Sequence, residues 1–449
     1  MSAAEAGGGA SDARVVAALC RTMSLAVDRL NEEKEKAPCL SDSDTAVKMW
    51  GSQRRVLVDV LMACWGLGTW LGVNGLYVQL PLLVNRLPEG WNLASWMVLA
   101  IQLANVGLLI YAGLKKLFAR LTDSFYVHAL LSIGTLALVL NAFLYTNTVT
   151  IGGMERSLAY LTLTFFAALV GCTSSVLFYP YLRYFRDVYL ATYLLGEGLS
   201  GFIPSILSLI QGAGDECSPA RFSSTVFLVL LGCLSALSLA SFSLLDKHPA
   251  FRSEHVKPTA VAKEDEATAP REPLGRPGWV AVLLLMGVLN ALMNGVMPSI
   301  QTYSCMPYGT RAYHLAVSLG AMANPAACLA GVWLRPVRAR VLAALLAAAA
   351  LPLAYVLATA VLSPAPPLAH TSAGEALVVV SWVCVSAVVS YARMWIYGWA
   401  RRGGARGMRA CGVATQAGSA LGSLLSFLLI NVADLFTQAP SPVCPTSAV

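Results

Sequence analysis

Charged side chains are scarce in this 449-residue chain. Asp, Glu, Lys and Arg make up 12% of it, about half the share of an ordinary soluble protein, whereas hydrophobic residues reach 57%. This composition excludes a soluble globular domain. The apolar runs are too long for membrane β-strands and lack their alternation, which excludes a β-barrel. The sequence therefore predicts an all-α polytopic membrane protein.

Motifs of catalysis and metal binding are also missing. The five His residues are scattered, and there is no CxxC pair, phosphate-binding loop or Ser/His/Asp set. We therefore predict that the protein is not an enzyme and holds no metal or cofactor. Most of the eleven cysteines fall in apolar runs as small fillers. Cys217 and Cys444 both fall on the predicted outer side, so a disulfide between them is one interpretation, with Cys305 as a competing partner.

Eleven apolar runs have the length of a membrane span. They cover residues 57–85, 93–114, 125–145, 158–179, 188–212, 222–245, 278–302, 312–334, 339–362, 374–399 and 409–433. Lys and Arg concentrate in alternate connections between these runs, and the other connections hold only Arg86, Arg156, Arg221 and Arg311. By the positive-inside rule the N-terminus is cytoplasmic, and an odd number of spans places the C-terminus outside. The same distribution explains the net charge of +7 without a nucleic-acid partner.

Two polar segments divide the predicted spans. Residues 1–56 are expected to form a cytoplasmic tail that is disordered or holds a short amphipathic helix. Residues 246–277 are expected to form a flexible cytoplasmic linker. The linker separates a first bundle of six helices, 57–245, from a second bundle of five helices, 278–433. Residues 434–449 form an extracellular tail in this prediction.

An internal repeat relates the two bundles. Its matches lie 219 or 220 residues apart: Asn74-Gly75 and Asn294-Gly295, Asn105 and Asn324, Glu197 and Gln416, Ser200 and Ser419. Because the two repeats begin six spans apart, both enter the membrane from the same side. An axis along the membrane normal then relates them, as in major-facilitator-like, two-bundle transporters. The second repeat lacks a counterpart of the sixth helix.

Ten residues within or near the spans are candidates for the lining of a transport pathway, because side chains that can hydrogen-bond are costly against lipid. They are Trp70, Asn74, Gln79, Asn105, Glu197, Asn290, Asn294, Gln301, Tyr303 and Asn324. Asn and Gln donate and accept hydrogen bonds, which suits a neutral polar solute. Trp70 is placed to stack on a flat solute or simply to pack.

Each candidate has a structural alternative. The asparagines beside Gly or Pro can stabilise a helix kink, and the glutamines near the surface can simply be solvated. Glu197 is the only acidic residue well inside a span. It can carry a proton, accept a hydrogen bond from a ligand, or pair with a neighbouring arginine or a helix terminus.

Several long motifs resemble the eukaryotic riboflavin (vitamin B2) transporter family of solute carriers. Among them are "GTWLGVNGLYVQLPLLVNRLPEGW", "CTSSVLFYPYL", "GEGLSGFIPSI" and "NALMNGVMPSIQTYSCMPYG". The resemblance runs from about residue 57 to the C-terminus. It implies eleven spans and uptake of riboflavin across the plasma membrane without sodium as the usual coupling ion. The residues that match the family pattern are Asn74, Asn105, Glu197, Asn294, Gln301 and Tyr303; their pathway role is inferred from polarity and depth.

Two features depart from that family. The family usually has Glu where this chain has Gln79, in "VQLP" rather than "VELP", and any proton sensitivity attached to that carboxylate is in doubt here. The N-terminal tail is also longer than usual. The leading hypothesis is a monomeric riboflavin importer surrounded by membrane lipid. The alternatives are a transporter of a nucleoside or another flat vitamin, and a multi-span cell-surface receptor.

Overall fold

The computed structural model describes residues 55–118, 120–182, 184–185, 188–212, 220–252, 276–333, 339–400 and 404–438. The predicted N-terminal tail, most of the linker and the end of the C-terminal tail lie outside the described residues. Cys217 and Cys444 lie outside them as well, so their pairing stays a prediction.

The first bundle follows the predicted apolar runs. Its helices are α1 (Val56–Leu67), α2 (Leu71–Val78), α3 (Leu80–Leu83), α4 (Leu93–Leu103), α5 (Val106–Leu117), α6 (Asp123–Leu144), α7 (Leu158–Leu182), α8 (Val188–Gln211), α9 (Ser224–Lys247) and the short α10 (Pro249–Arg252). A 3₁₀ turn, Gly90–Asn92, precedes α4. The first span is thus built from α1 to α3, and the second from the 3₁₀ turn, α4 and α5.

The second bundle also follows its predicted runs. Its elements are α11 (Arg276–Ala291), a π-helical turn (Leu292–Val296), α12 (Met297–Cys305), a 3₁₀ turn (Met306–Tyr308), α13 (Thr310–Trp333), α14 (Ala339–Val361), α15 (Ser372–Ala400) and α16 (Gly404–Asn431). The seventh span consists of α11, the π-helical turn and α12.

Not every predicted span meets a strict criterion of length and hydropathy. Among the described residues eight helices do so, and the bent pair α1 and α2 brings the number to nine. Helix α7 contributes a shorter apolar segment, Leu158–Ser174. The all-α membrane fold is confirmed, while the count of eleven spans stays a prediction.

A two-stranded hairpin, which the sequence analysis did not predict, joins α6 to α7. Strand β1 (Val149–Ile151) pairs antiparallel with β2 (Met154–Arg156). The turn is Gly152-Gly153, and both glycines have positive φ, as a two-residue hairpin turn requires. We call this end of the bundles the hairpin end. The opposite end, where α9 leads toward the linker, is the linker end.

Contacts between the bundles follow the symmetry that the repeat predicts. Helix α8 packs on α13, and α16 packs on α4. Under the repeat the fifth span corresponds to the eleventh and the second to the eighth, so each of these contacts is the image of the other. Helix α2 contacts α13, and α12 contacts α4, which is a second pair related in the same way.

The apolar core joins the bundles at the hairpin end. One continuous cluster contains Leu76 and Trp91 of the first bundle together with Tyr303 and Tyr313 of the second. At the linker end the first bundle has a separate core around the fully buried Trp65. In this conformation the two bundles are therefore held together mainly at the hairpin end.

Glycines allow the broken spans to approach their neighbours within each bundle. A Cβ at Gly196 of α8 would lie 2.1 Å from the carbonyl oxygen of Ala63 in α1. A Cβ at Gly422 of α16 would lie 2.2 Å from the carbonyl oxygen of Ala291 in α11. Small residues at such positions are typical of close helix pairs in membranes. Both repeats use them between corresponding spans.

We expect Gly422→Ala to destabilise the protein, because the new methyl group would overlap the backbone of α11. Overpacking of this kind costs about 1–3 kcal/mol. Gly412→Ala on the same helix is the matched control, since a Cβ there has no neighbour within 4 Å. Thermal denaturation of both purified variants in one detergent measures the difference. Equal melting temperatures for the two variants would contradict this packing.

Candidate functional site

The first span breaks between α1 and α2 and bends there by 56°. At the break the hydroxyl of Thr69 donates to the carbonyl of Gly66 at 2.7 Å. Ser238 on α9 donates to the carbonyl of Trp65 at 2.9 Å. Carbonyl groups that leave the helical pattern thus find partners inside the bundle, as a membrane requires. The apolar run predicted over 57–85 is thus a broken span rather than one straight helix.

The seventh span contains an irregularity of its own. The π-helical turn carries Asn294-Gly295 and is followed at once by Pro298 in the first turn of α12. Proline lacks the amide hydrogen that would continue the helix. Ser423 on α16 donates to the carbonyl of Asn294 at 3.3 Å. Both repeat-related Asn-Gly motifs thus lie near irregular backbone.

Corresponding asparagines of the repeat make corresponding hydrogen bonds. Asn74 Nδ2 donates to Ser200 Oγ on α8 at 3.4 Å. Asn294 Nδ2 donates to Ser419 Oγ on α16 at 2.9 Å. The two serines are themselves a matched pair of the repeat. Both asparagines are half-buried. Asn74 connects the first span to the fifth, and Asn294 connects the seventh span to the eleventh.

The other three asparagines are placed differently. Asn290 is fully buried, donates to the carbonyl of Met286 at 2.8 Å and accepts from Asn294 at 3.3 Å. Asn105 lies between α4 and α5 and bonds locally to Gln102, at 3.2 Å to its carbonyl. This local bond favours the kink interpretation for Asn105. Asn324 is exposed on α13.

Glu197 is the centre of a polar cluster between the spans. The hydroxyl of Tyr179 on α7 donates to Glu197 Oε2 at 2.8 Å. The indole of Trp70, at the break of the first span, lies near the same carboxylate. All three side chains are half-buried. The cluster therefore brings one acceptor and two donor groups together within the first bundle, beside the break of its first span.

Trp70 also packs against the fourth span. A Cβ at Gly171 would lie 2.6 Å from Trp70 Cε3, so the indole ring rests directly on the backbone of α7. The side chain is nevertheless only half-buried. Packing and a pathway role, the two interpretations of the sequence analysis, are thus both compatible with its position.

Gln301 and Tyr303 seal the hairpin end. The hydroxyl of Tyr77 on α2 donates to Gln301 Oε1 at 2.6 Å. The hydroxyl of Tyr303 donates to Asn92 Oδ1, beside α4. The exposed fraction is only 3% for Gln301 and 1% for Tyr303. In this conformation they hold the bundles together rather than face an open channel.

Two further polar contacts close the same end. His314 Nε2 on α13 lies 2.8 Å from the carbonyl oxygen of Ser208 on α8. Asn431 Nδ2 at the end of α16 donates to Ser95 Oγ on α4 at 2.8 Å. The hairpin end is thus crossed by hydrogen bonds on several sides.

Gln79 points into its own bundle. It is fully buried, and its Nε2 donates to Gln211 Oε1 on α8 at 2.6 Å. Gln211 Nε2 in turn donates to the carbonyl of Phe222 at 2.9 Å. The structure thus buries Gln79 within the first bundle, away from the residues that contact the second bundle.

Some site residues were missed by the sequence analysis. Tyr397 on α15 shares a 3.0 Å hydrogen bond with Thr415 on α16. Tyr397 lies 218 residues after Tyr179, and "YPYLRY" and "YGWARR" begin at these tyrosines. A repeat search allowing one residue of slippage would have found the pair. Ser208 carries no comparable signal, because only the packing of α8 against α13 gives it a role.

No metal cluster accompanies this site. In the part of the chain that the structure describes, no three His, Cys, Asp or Glu side chains gather as a metal ion would require.

Comparison with known proteins decides the family. A sequence profile for solute carrier family 52, riboflavin transporter, matches residues 54–438. The chain belongs to this family. Zebrafish riboflavin transporter member 3-A of solute carrier family 52 is 35% identical, over 87% of this chain and 98% of its own length. Human member 3 is 35% identical over 85% of this chain and 97% of its own length, and human member 2 is 35% identical over 85% and 96%.

Solved structures support the fold of this solute carrier family 52 member. A D-xylose–proton symporter superposes with a TM-score of 0.56 at 11% sequence identity, over 83% of this chain and 89% of that chain. The nucleoside transporter NupG superposes with a TM-score of 0.50 at 14% identity, over 85% and 91%. At such low identity these likenesses show a shared two-bundle transporter fold and nothing about the solute.

We expect Asn294 and Ser419 to be energetically coupled, because their side chains share an interhelical hydrogen bond. Hydrogen bonds between membrane helices contribute about 0.6 kcal/mol on average. A double-mutant cycle with Asn294→Ala and Ser419→Ala, read by unfolding in mixed micelles, measures the coupling. Asn294→Ala with Ser299→Ala is the control cycle, since Ser299 bonds within its own span, to Gly295. Strictly additive effects in the first cycle would refute the bond.

Proposed function

We propose that this chain takes up riboflavin across the plasma membrane by alternating access. Membership of the riboflavin transporter family supports the solute. The observation that carries the mechanism is the polar cluster of Trp70, Tyr179 and Glu197 beside the break of the first span, whose segment α2 contacts the opposite bundle. In two-bundle transporters the solute binds near mid-membrane at the interface of the repeats.

The chemistry of riboflavin fits this cluster. Its flat ring system carries an imide edge, in which one N–H lies between two carbonyl oxygens. The Glu197 carboxylate is an acceptor flanked by two donors, the indole of Trp70 and the hydroxyl of Tyr179. In this proposal the carboxylate accepts from the imide N–H, and the Tyr179 hydroxyl, which donates to Glu197 in this structure, turns with the indole N–H to the imide carbonyl oxygens. In this proposal the amide oxygens of Asn74 and Asn294, whose nitrogens bond to Ser200 and Ser419, offer further acceptors to the solute.

The conformation favours access from the linker end. Hydrogen bonds such as Tyr77 to Gln301 and Asn431 to Ser95 close the hairpin end. If the positive-inside distribution sets the orientation, the hairpin end is extracellular and the N-terminus is cytoplasmic. The structure then represents the inward-facing state, and uptake requires these contacts to break and reform in each cycle. Gln301 and Tyr303 act in this proposal as gate residues.

A proton is a better candidate than sodium for any coupling. Glu197 brings one carboxylate to the site, and a single carboxylate flanked by a tyrosine and a tryptophan suits a proton rather than a hydrated cation. Gln79 cannot take up a proton in this way. We therefore place any pH dependence at Glu197, with sodium dispensable.

Cells that display this chain should take up radiolabelled riboflavin above vector controls, with sodium or choline in the buffer. Unlabelled riboflavin should compete, whereas nucleosides should not. Glu197→Gln should lower uptake about tenfold, because it removes a charged hydrogen-bond acceptor worth about 1.5–3 kcal/mol.

Glu155→Gln is the matched control, since this carboxylate is exposed on β2. Surface protein is quantified for every variant. The proposal would be contradicted if cells with verified surface expression of the wild-type protein took up no more riboflavin than cells with the empty vector. Uptake that nucleosides suppress as well as riboflavin does would favour the alternative solute class.

Cross-linking tests alternating access. In Ser95→Cys/Asn431→Cys a short bis-methanethiosulfonate reagent, which forms a reducible disulfide with each thiol, should join the bundles at the hairpin end. Uptake should fall to background and return after reduction, because this end can no longer open.

The control joins two helices of one bundle. Thr135 and Ser235 share a 2.8 Å hydrogen bond between α6 and α9, so Thr135→Cys/Ser235→Cys accepts the same reagent. Each single variant reports reaction with native cysteines. Full uptake in the cross-linked Ser95→Cys/Asn431→Cys protein would show that the hairpin end need not open.

A further inference from the structure

A short segment follows α16 at the hairpin end, and we call its residues 433–438 the strap. The amide of Leu435 donates to the carbonyl of Leu429, six residues earlier, at 3.1 Å. Asp434, just before it, has a positive φ of 48°. The chain therefore turns sharply at the end of α16 instead of continuing along the helix axis.

The strap is fastened to its own bundle and reaches the other one. Ser363, between α14 and α15, donates to the carbonyl of Thr437 at 2.8 Å. The next residue, Gln438, accepts at Oε1 from the backbone amide of Trp91 at 3.3 Å. Trp91 lies in the 3₁₀ turn of the first bundle. Two adjacent residues of the strap thus connect the two bundles at the hairpin end.

A glycine makes room for the contact with the first bundle. A Cβ at Gly90 would lie 2.7 Å from Gln438 Oε1, so the side-chain amide of Gln438 rests directly on the glycine backbone. Gly90 has a φ of 58°, in the left-handed region that favours glycine. The missing side chain at this turn allows Gln438 to reach the amide of Trp91.

The strap also packs against a gate residue. The ring centroids of Phe436 and Tyr303 lie 5.4 Å apart, and those of Tyr303 and Trp91 lie 5.7 Å apart. Tyr303 also donates to Asn92 Oδ1 in the 3₁₀ turn. Phe436 is half-buried, whereas its two neighbours in the chain are exposed. Tyr303 is thus held between the strap and the 3₁₀ turn.

We propose that the strap holds the hairpin end closed, with Gln438 binding the first bundle and Phe436 keeping Tyr303 in its closed position. Both act as positioning residues, and opening requires the bond from Trp91 to Gln438 to break. This inference takes from the proposed function only the opening of the hairpin end, and it does not depend on the solute. A segment that merely ended α16 would change the melting temperature and leave the opening unaffected.

Single-molecule energy transfer measures this opening without a solute. Two fluorophores attached through noncanonical amino acids replace Glu155 and Ser372, which are exposed at the hairpin end on opposite bundles. Full-length protein in nanodiscs should alternate between a closed and an open distance. Gln438→Leu should raise the ratio of open to closed protein about three- to tenfold, because one hydrogen bond between the bundles is lost. Gln438→Glu should match the wild type, because a carboxylate oxygen also accepts from the amide.

Phe436→Ala should raise the same ratio, because Tyr303 loses its support. Ser223→Ala is the matched control, since Ser223 Oγ accepts from the amide of Val226, also at 3.3 Å and at the same end, but within one bundle. Melting temperatures show whether each variant is folded. Folded Gln438→Leu protein with the wild-type ratio or with no open state would overturn the inference, as would an equal shift in Ser223→Ala. Riboflavin uptake by the wild-type protein tests the proposed solute separately, whatever the outcome for the strap.

Discussion

A break in a membrane helix frees carbonyl groups that lipid cannot hydrogen-bond, and this constraint organises the molecule. Ser238 satisfies the carbonyl of Trp65 at the first break, and Ser423 satisfies that of Asn294 in the seventh span. Both partners come from neighbouring helices of the same bundle. The irregular spans must therefore stay packed against those helices.

Some polar residues match between the two halves of the repeat, and these support the helices, whereas other polar residues differ. Asn74 and Asn294 make the same bond to matched serines in both bundles, which is what a shared scaffold requires. Other polar positions differ between the halves, because Glu197 of the first half corresponds to Gln416 of the second. A symmetric frame with unlike polar groups can hold a solute whose two ends differ.

Depth and pattern in the sequence predicted the bundles, the repeat and the polar candidates near mid-membrane. They did not predict the direction in which each side chain points, because the rotation of a helix about its axis depends on the helices packed against it. Gln79 looked like a pathway residue but is buried against Gln211. Gln301 and Tyr303 were expected to line a pathway and instead seal one end. The hairpin could have been predicted from Gly152-Gly153 between two short β-prone segments. The break at Thr69 could not, because it is supported by the Ser238 hydroxyl of another helix.

The bundles meet through a reciprocal exchange, in which α2 leans on α13 and α12 leans on α4. Each bundle thus contacts the other through the segment of its irregular span at the hairpin end, α2 in the first bundle and α12 in the second. The two segments have to separate from the opposite bundle together. Breaking one of these two contacts strains the other. Separation of the bundles at this end therefore has to break both contacts.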